Sequence, residues 1–462
     1  MDRAAKQLNF QFNNLSVIPN PNGHVWPKSP ARTKREINKL SPLDRSAHDW
    51  YRFVLSFPPH FVRDYLQRFG ITSNKRVLDP FCGTGTTLVE CKKLGIPSIG
   101  IEANPMAYFA SHVKVDWDIS EDGLLNHAGE VAVATLAELR KQGLDDSSSV
   151  ASTPSLSIEL RSIPEALHQL LLTNSISPLP LHKTLVLFEM IDRHIDSRFQ
   201  RHEKLALAKA LVFSISNLHF GPEVGVERPK TDAAVVSPWL TGIQDMAYDL
   251  HELKQYSPVP SVVYQADSRQ IFQVLEPQSI DAVITSPPYP NEKDYTRTTR
   301  LESVLLGFIE SKSDLQATKR RMVRSNTRST YKGDDDDQWV ANHVEVQRIA
   351  ESIEARRIAL GKTSGFERLY ARLTKLYFGG MTRHLADLRP ALRPGAYLAY
   401  VVGDQASYLR VMIRTGQILA DIAQSLGYEL VSIDLFRTRL ATATKEQLRE
   451  EVVVLRWHGK HP

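Results

Sequence analysis

The chain has 462 residues, of which 42% are hydrophobic, and it carries a formal net charge of +5 at pH 7. This length allows about two to three domains, and the modestly basic balance suits a polyanionic partner. We do not expect a membrane protein, because no apolar run approaches the ~18 residues of a membrane span. We do not expect a secreted protein, because the amino terminus lacks the apolar core of a signal peptide. We therefore expect a cytoplasmic protein. Its two cysteines are too few for a zinc cluster, so we expect no metal.

The amino-terminal part divides into an arm and the beginning of a core. Residues 1–45 are rich in Asn, Pro, Lys and Arg, which predicts an extended arm. Residues 46–116 carry the first strands and helices of an α/β core. Within them a Pro58-Pro59 pair precedes Phe61, Tyr65 and Phe69, whose spacing predicts a helix.

A glycine loop follows this helix. The segment VLDPFCGTGTTLVE, from Val77 to Glu90, predicts a buried strand, a tight loop and a helix. Gly83 and Gly85 permit positive φ and let a ligand approach the main chain closely. Glu102 ends the next predicted strand, about 20 residues past the loop, where an acidic residue binds ribose hydroxyls. Because the loop lacks the Lys of a phosphate-binding P-loop, ATP and GTP are disfavoured as its ligand.

A long insertion separates this part from the rest of the core. Residues 117–256 are mainly helical by pattern, with predicted helices from Leu124 to Gln142 and between Ile158 and Asn217. The segment from Phe220 to Val235 breaks the helical pattern with Gly, Pro and charge. We expect a helical subdomain here.

The second informative segment is DAVITSPPYP, from Asp281 to Pro290. Pro287 and Pro288 cannot continue a β-ladder, so the strand must end in a loop at the carboxyl edge of the sheet, where open α/β sheets bind ligands. Ser286 and the Pro287 carbonyl can accept hydrogen bonds from an amino group. Tyr289 can stack on the face of a base, which contributes roughly 1–3 kcal/mol. The loop therefore predicts chemistry on an exocyclic amino group of a base.

The remaining residues, 257–462, are predicted to complete the core. GAYLAYVVGD, from Gly395 to Asp404, predicts a buried strand, and residues 428–438 and 450–457 predict a terminal antiparallel pair. Residues 312–345 form a basic loop whose five clustered cations are Lys319, Arg320, Arg321, Arg324 and Arg328. Cations with hydroxyl and amide neighbours predict phosphate contacts, with a solvated basic loop as the alternative. The acid run that follows, Asp334 to Asp337, is expected to be a solvated turn.

At its two loops the chain resembles the amino-methylating DNA methyltransferases. DPFCGTGTT is similar to their motif I and TSPPY to their motif IV; SPPY is typical of N4-cytosine members, whereas DPPY or NPPY is more typical of N6-adenine members. SFPPHFVRDYL, from Ser56 to Leu66, resembles motif X, and QADSRQI, from Gln265 to Ile271, resembles motif III. With motifs X, I and II in residues 46–116, the order is X, I, II, insertion, III, IV, which departs from the common permutation in which motif IV comes first.

The resemblance implies a Rossmann-like α/β methyltransferase sheet with an antiparallel last strand. It also implies S-adenosylmethionine as the cofactor and DNA as the partner. The residues that it and the loop chemistry assign to the cofactor are Phe57, Pro58, Asp79, Pro80, Phe81, Gly83, Thr84, Gly85, Glu102 and Asp267. The residues assigned to catalysis are Ser286, Pro287, Pro288 and Tyr289.

The leading prediction is N4 methylation of cytosine in a specific DNA sequence, within a restriction-modification system whose endonuclease would be encoded separately. Target recognition is expected in the insertion and in the basic loop. Methylation of adenine N6, or of a base in RNA, remains an alternative because the pocket chemistry is alike. A non-catalytic nucleic-acid-binding module is the alternative from another class, although such a module would be free to lose both loops.

Overall fold

The computed structural model describes residues 40–52, 56–146, 159–220, 224–256, 258–440 and 447–459. The predicted amino-terminal arm lies outside the described residues as far as residue 39. Among the helices in these ranges, none combines the length and the apolar character that crossing a membrane requires.

Nine strands in the described part of the chain form a large sheet and a hairpin. They are β1 (Val77–Asp79), β2 (Ser98–Ile101), β3 (Leu218–Phe220), β4 (Val224–Val226), β5 (Ser261–Tyr264), β6 (Ile280–Thr285), β7 (Leu392–Gly403), β8 (Glu429–Leu440) and β9 (Gln447–Arg456). The large sheet has the order β5-β2-β1-β6-β7-β9-β8, and β3 pairs with β4 in the hairpin. The first five strands of that order are parallel, and β9 is antiparallel to both of its neighbours.

The strand order reverses at the pair β1 and β6. These two central strands are parallel, with Val77 opposite Ala282 and Leu78 opposite Val283. At such a switch point the connections leave in opposite directions, so a crevice opens beyond the carboxyl ends of the two strands. The glycine loop begins at the end of β1, and the Ser286–Tyr289 loop begins at the end of β6. The predicted Rossmann-like methyltransferase sheet is thus confirmed, including its antiparallel last strand.

The helices cover both faces of the sheet and extend outwards from one of them. They are α1 (Pro59–Arg68), α2 (Thr86–Lys93), α3 (Pro105–Lys114), α4 (Glu121–Lys141), α5 (Glu165–His168), α6 (Pro178–Arg193), α7 (Gln200–Ala210), α8 (Val236–Leu253), α9 (Arg300–Leu305), α10 (Lys312–Arg321), α11 (Val344–Ala359), α12 (Tyr370–Leu388) and α13 (Thr415–Ser425). A π-helical turn, Leu211–Ile215, continues α7.

Strand β6 is buried on both faces, and its side chains alternate between two cores. Ala282 and Ile284 pack in the cluster that contains Phe61 of α1. Val283 packs on the other face with Phe378 of α12. This alternation is the expected period of a strand whose successive side chains point to opposite faces.

The insertion is helical, as its pattern predicts, and it packs on the sheet's own helices. Trp239 of α8 and Leu205 of α7 belong to one buried cluster with Leu88 of α2 and Met106 of α3. The Gly- and Pro-containing segment forms the hairpin β3–β4, which the sequence pattern did not reveal. Its strands have three residues each, too few for a period of two to be recognised.

A close approach between α12 and a 3-10 turn, Asp336–Val340, generates the first prediction. A Cβ atom on Gly379 would lie 1.8 Å from the Asp336 carbonyl oxygen, whereas a Cβ atom on Gly129 of α4 would meet nothing within 4 Å. We expect Gly379→Ala to lower the free energy of unfolding by about 1–3 kcal/mol through overpacking. Gly129→Ala is the control and should raise it by about 0.5–1 kcal/mol through helix propensity. Urea denaturation measures both, and a fully stable Gly379→Ala variant would contradict this packing.

Candidate active site

The glycine loop has the backbone that its sequence predicts. Gly83 and Gly85 have φ values of 52° and 83°, both in the left-handed region. A Cβ atom on Gly85 would lie 3.0 Å from Cβ of Ser111. Both its positive φ and this close packing therefore disfavour any residue other than glycine at position 85. A Cβ atom on Gly83 would meet nothing within 4 Å. Gly83 thus leaves open space in front of the main chain, as a bound ligand requires.

Asp79 lies beneath this loop and joins three segments. Its carboxylate is 1% exposed. Oδ1 accepts a hydrogen bond from Thr285 Oγ1 at 2.6 Å and from the Phe81 amide at 3.2 Å, and Oδ2 accepts one from Thr87 Oγ1 at 2.6 Å. Burial raises the pKa of Asp79 to about 6, although these hydrogen bonds oppose the shift. These hydrogen bonds make the carboxylate an internal link between β1, α2 and β6, while its contact with a cofactor stays a prediction.

Glu102 follows β2 and supports the glycine loop from the side. Its Oε2 accepts a hydrogen bond from the Gly83 amide at 2.9 Å, and its Oε1 accepts one from the Asn104 amide at 2.7 Å. Burial raises the pKa of Glu102 to about 7. Glu102 also lines a cavity. Its carboxylate therefore both holds the glycine loop and borders that cavity.

The cavity has a volume of about 330 Å³ and brings the two loops together. The predicted cofactor contacts that line it are Phe57, Pro58, Pro80, Phe81, Gly83, Thr84 and Glu102. The predicted catalytic residues that line it are Ser286, Pro287, Pro288 and Tyr289. Asp79, Gly85 and Asp267 are not among its lining residues.

Asp267 is occupied by an ion pair. Both of its carboxylate oxygens accept hydrogen bonds from the Arg269 guanidinium, at 2.7–3.2 Å. Arg269 also pairs with Asp336, so it ties the end of β5 to the turn against α12. The neighbours Ala266 and Ser268 line the cavity in place of Asp267.

The loop after β6 is held by its own hydrogen bonds. Ser286 Oγ donates to the Val401 carbonyl at 3.3 Å. The Tyr289 amide donates to the Tyr295 hydroxyl at 3.3 Å, and the Tyr289 hydroxyl donates to Glu450 at 3.1 Å. Since a hydroxyl has one proton and two acceptor lone pairs, Ser286 keeps acceptor capacity for a ligand in the cavity.

The predicted basic cluster separates into two kinds of residue. Lys319 is 8% exposed and Arg324 is 3% exposed. Lys319 pairs with Asp294 at 2.7 Å, and Arg324 makes a two-pronged pair with Asp334 at 2.7 and 2.9 Å. Their charges are therefore already paired within the fold, and sequence spacing does not show these carboxylate partners; phosphate contacts by the two residues stay a prediction.

The other three cations of the cluster are exposed. Arg321 and Arg328 line the cavity, and Arg320 lies over the Tyr331 ring at 5.0 Å from its centroid. The acid run is not a solvated turn, because Asp336 is 3% exposed and pairs with Arg269 and Arg383. In the described ranges, no group of His, Cys, Asp and Glu side chains is arranged to hold a metal ion.

Several cavity residues had no sequence signal. The insertion contributes Val212 and Phe213 from the π-helical turn and Val224 from the hairpin. Strand β8 contributes Arg437 and Arg439, which alternate along the strand and so share one face. That alternation was visible in the sequence, but the sequence did not show that this face borders the cavity.

The chain is similar to known proteins over nearly its whole length. A family model described as DNA methylase matches residues 14–111. The type II methyltransferase M.BsoBI of Geobacillus stearothermophilus is 23% identical over 94% of this chain and 88% of its own length. M.AvaI of a Nostoc species is 24% identical over 91% and 88%, and M.MjaII of Methanocaldococcus jannaschii is 35% identical over 18% and 16%. These matches agree with the resemblance of the two loops.

The corrected basic cluster generates the second prediction. Arg324→Ala should lower the free energy of unfolding by about 3–5 kcal/mol, because it leaves Asp334 without its buried partner. Arg321→Ala removes an exposed guanidinium three residues away and should change that free energy by less than about 0.5 kcal/mol. Guanidinium chloride denaturation distinguishes the two variants. Equal stability of both would show that the pair of Arg324 and Asp334 does not support the fold.

Proposed function

We propose that this chain, a member of the amino-methylating DNA methyltransferase family, transfers a methyl group from S-adenosylmethionine to the N4 amino group of cytosine in a specific DNA sequence. One observation carries the proposal. The glycine loop and the SPPY loop border a single cavity, and the carboxylate of Asp79 ties them together beneath it. A methyl donor in one loop and an amino group in the other would therefore meet.

The residues of the first loop fit S-adenosylmethionine. Gly83 leaves open space in front of its main chain, and Glu102 faces the cavity with an acceptor for ribose hydroxyls. Thr84 is buried, and its Oγ1 has no hydrogen-bond partner among the described residues. Such an orphaned hydroxyl is costly unless a ligand satisfies it. When bound, the cofactor supplies a methyl group activated by its sulfonium.

The residues of the second loop fit an exocyclic amine. Ser286 donates its proton to the Val401 carbonyl, so its lone pairs accept one N–H of the base. The carbonyl oxygen of Pro287 accepts the other. Two acceptors placed in this way turn the nitrogen lone pair out of conjugation and towards the methyl donor. Positioning and electrostatics then supply most of the acceleration.

The choice of cytosine rests on the SPPY sequence, which is typical of N4-cytosine members of the family. Tyr289 would stack on a base that has been flipped out of the duplex. The cavity that would receive this base is bordered by Arg321 and Arg328. Exposed guanidinium groups at this position suit the phosphates beside an extruded nucleotide.

Target recognition is assigned to the parts of the cavity wall outside the catalytic loops. Val212, Phe213 and Val224 come from the insertion and lie at the same cavity as Ser286. The relatives of this chain are type II methyltransferases by name. By analogy, we place the protein in the cytoplasm, in a restriction-modification system with a separately encoded endonuclease.

The proposed activity is tested by expression in a host that lacks DNA methylation. The host's DNA and RNA are digested to nucleosides and analysed by mass spectrometry. N4-methylcytosine in DNA is the expected product. N6-methyladenine in DNA would show that the pocket takes adenine. Methylated nucleosides found in RNA alone would show that the substrate is RNA and not DNA. Absence of every methylated nucleoside, from folded protein that binds S-adenosylmethionine, would favour the non-catalytic module.

Gly83→Val is expected to abolish cofactor binding, because the branched side chain fills the open space and disfavours positive φ. Gly95→Val is a matched control, since Gly95 has φ of 67° and equally open surroundings but does not line the cavity. Titration calorimetry with S-adenosylmethionine measures both variants. If Gly83→Val still bound S-adenosylmethionine with micromolar affinity, about −8 kcal/mol, the cofactor would not lie against the glycine loop.

Ser286→Ala is expected to leave cofactor affinity nearly intact and to lower methyl transfer by about tenfold or more. This is the loss expected when a transition-state hydrogen bond of ~1.4 kcal/mol is removed. Single-turnover transfer of labelled methyl groups to DNA measures the rate. A rate equal to that of the parent would show that this loop is not the catalytic one.

Replacing Arg321 and Arg328 together by Ala is expected to weaken binding to every DNA sequence. Fewer counterions are released when fewer phosphates are neutralised, so the slope of log affinity against log salt should flatten by about 1–2. Fluorescence anisotropy at several salt concentrations gives that slope. The paired variant Arg348→Ala with Arg357→Ala, on α11 outside the cavity lining, serves as the control. An unchanged slope would remove both cavity arginines from the interface.

A further inference from the structure

Tyr289 is held at its hydroxyl, its amide and the edge of its ring. The hydroxyl donates to Oε1 of Glu450 at 3.1 Å, and the amide donates to the hydroxyl of Tyr295 at 3.3 Å. A Cβ atom on Gly403 would lie 3.0 Å from Cε2 of the ring. The ring thus has one position in the cavity wall, set partly by residues far from it in sequence.

Two of these contacts belong to one row of residues across the terminal strands. Glu450 of β9 is directly opposite Gly403 of β7 on one side and Arg437 of β8 on the other. Opposed residues of antiparallel strands have their Cβ atoms about 4.5–5.5 Å apart, so their side chains interact. Because Gly403 has no side chain, the row leaves a space that the edge of Tyr289 fills.

The charges of the row keep Glu450 oriented. Glu450 is 6% exposed, and a carboxylate at such a depth requires partners. Oε1 accepts from Tyr289, and Oε2 accepts from Nε of Arg437. Burial and the nearby carboxylate raise the pKa of Tyr289 well above its usual range, so its hydroxyl remains protonated and donates at neutral pH.

We infer that Glu450, oriented by Arg437, is a positioning residue that fixes the position of the Tyr289 ring in the cavity wall and through it the orientation of the target base. This inference rests on the proposed function, in which Tyr289 stacks on that base. A ring held at its hydroxyl cannot swing out of the cavity wall, and the close approach of Gly403 to its edge restricts rotation about its own axis. A released ring swings away, and fewer complexes then aim the amine at the methyl donor. The terminal antiparallel pair is thereby part of the base pocket.

The test compares Glu450→Gln, Tyr289→Phe and the double variant in single-turnover methyl transfer to saturating DNA. Tyr289→Phe keeps the ring and removes the hydroxyl, and Glu450→Gln keeps the shape and removes the paired charge. Each single variant should lower the rate by about fivefold, with unchanged affinity for S-adenosylmethionine. The double variant should be no slower than the slower single variant, because both remove the hydrogen bond between Tyr289 and Glu450; Tyr289→Phe also removes the contact of the hydroxyl with Ser286. Glu429→Gln, an exposed carboxylate of β8, should leave the rate unchanged.

Two results would overturn the inference. One is a normal rate in Glu450→Gln, and the other is a double variant that falls by about 25-fold, the product of two independent effects. Gly403→Ala gives a second route if Glu450→Gln does not fold, because its methyl group would displace the edge of Tyr289; a normal rate in that variant also overturns the inference. Failure of the proposed function is seen in the parent protein, which would then form no N4-methylcytosine in DNA.

Discussion

The buried carboxylate of Asp79 is the interaction on which the arrangement of the two loops depends. A carboxylate that is 1% exposed needs hydrogen-bond donors, since its water has been removed. It receives them from Phe81 in the glycine loop, from Thr87 in α2 and from Thr285 at the end of β6. These donors lie on both sides of the switch point. The hydrogen bonds of this one buried carboxylate therefore tie the glycine loop to the end of β6, where the SPPY loop begins.

The sequence predicts the elements of this site better than the directions of its side chains. The glycine loop and the SPPY loop were recognisable because each is a contiguous run whose chemistry is local. Asp79 was predicted as a cofactor contact; its partner Thr285 lies 206 positions away, and the inward direction of its side chain was not predictable. Asp267 differs, because its partner Arg269 lies only two positions away; the sequence does not show that this guanidinium folds back onto the carboxylate.

The basic loop shows how charge counting along a sequence misleads. Lys319 and Arg324 belong to the interior, where Asp294 and Asp334 neutralise them. Asp334, in the acid run beside the cluster, neutralises Arg324. The basic run and the acid run therefore pair with each other and do not form two separate charged surfaces. Within this loop, Arg321 and Arg328 stay outside this network and have exposed guanidinium groups at the cavity.

The central claim is that Asp79 aligns the two loops, and Thr285→Val tests it most directly. This variant keeps the shape of the side chain and deletes only the hydrogen bond between β6 and Asp79. The account predicts cofactor affinity within about twofold of the parent and a single-turnover methyl-transfer rate about tenfold lower, as expected for a loss of ~1.4 kcal/mol. A variant that binds the cofactor and transfers methyl groups at the parental rate would contradict the account, because the loops would then keep their positions independently.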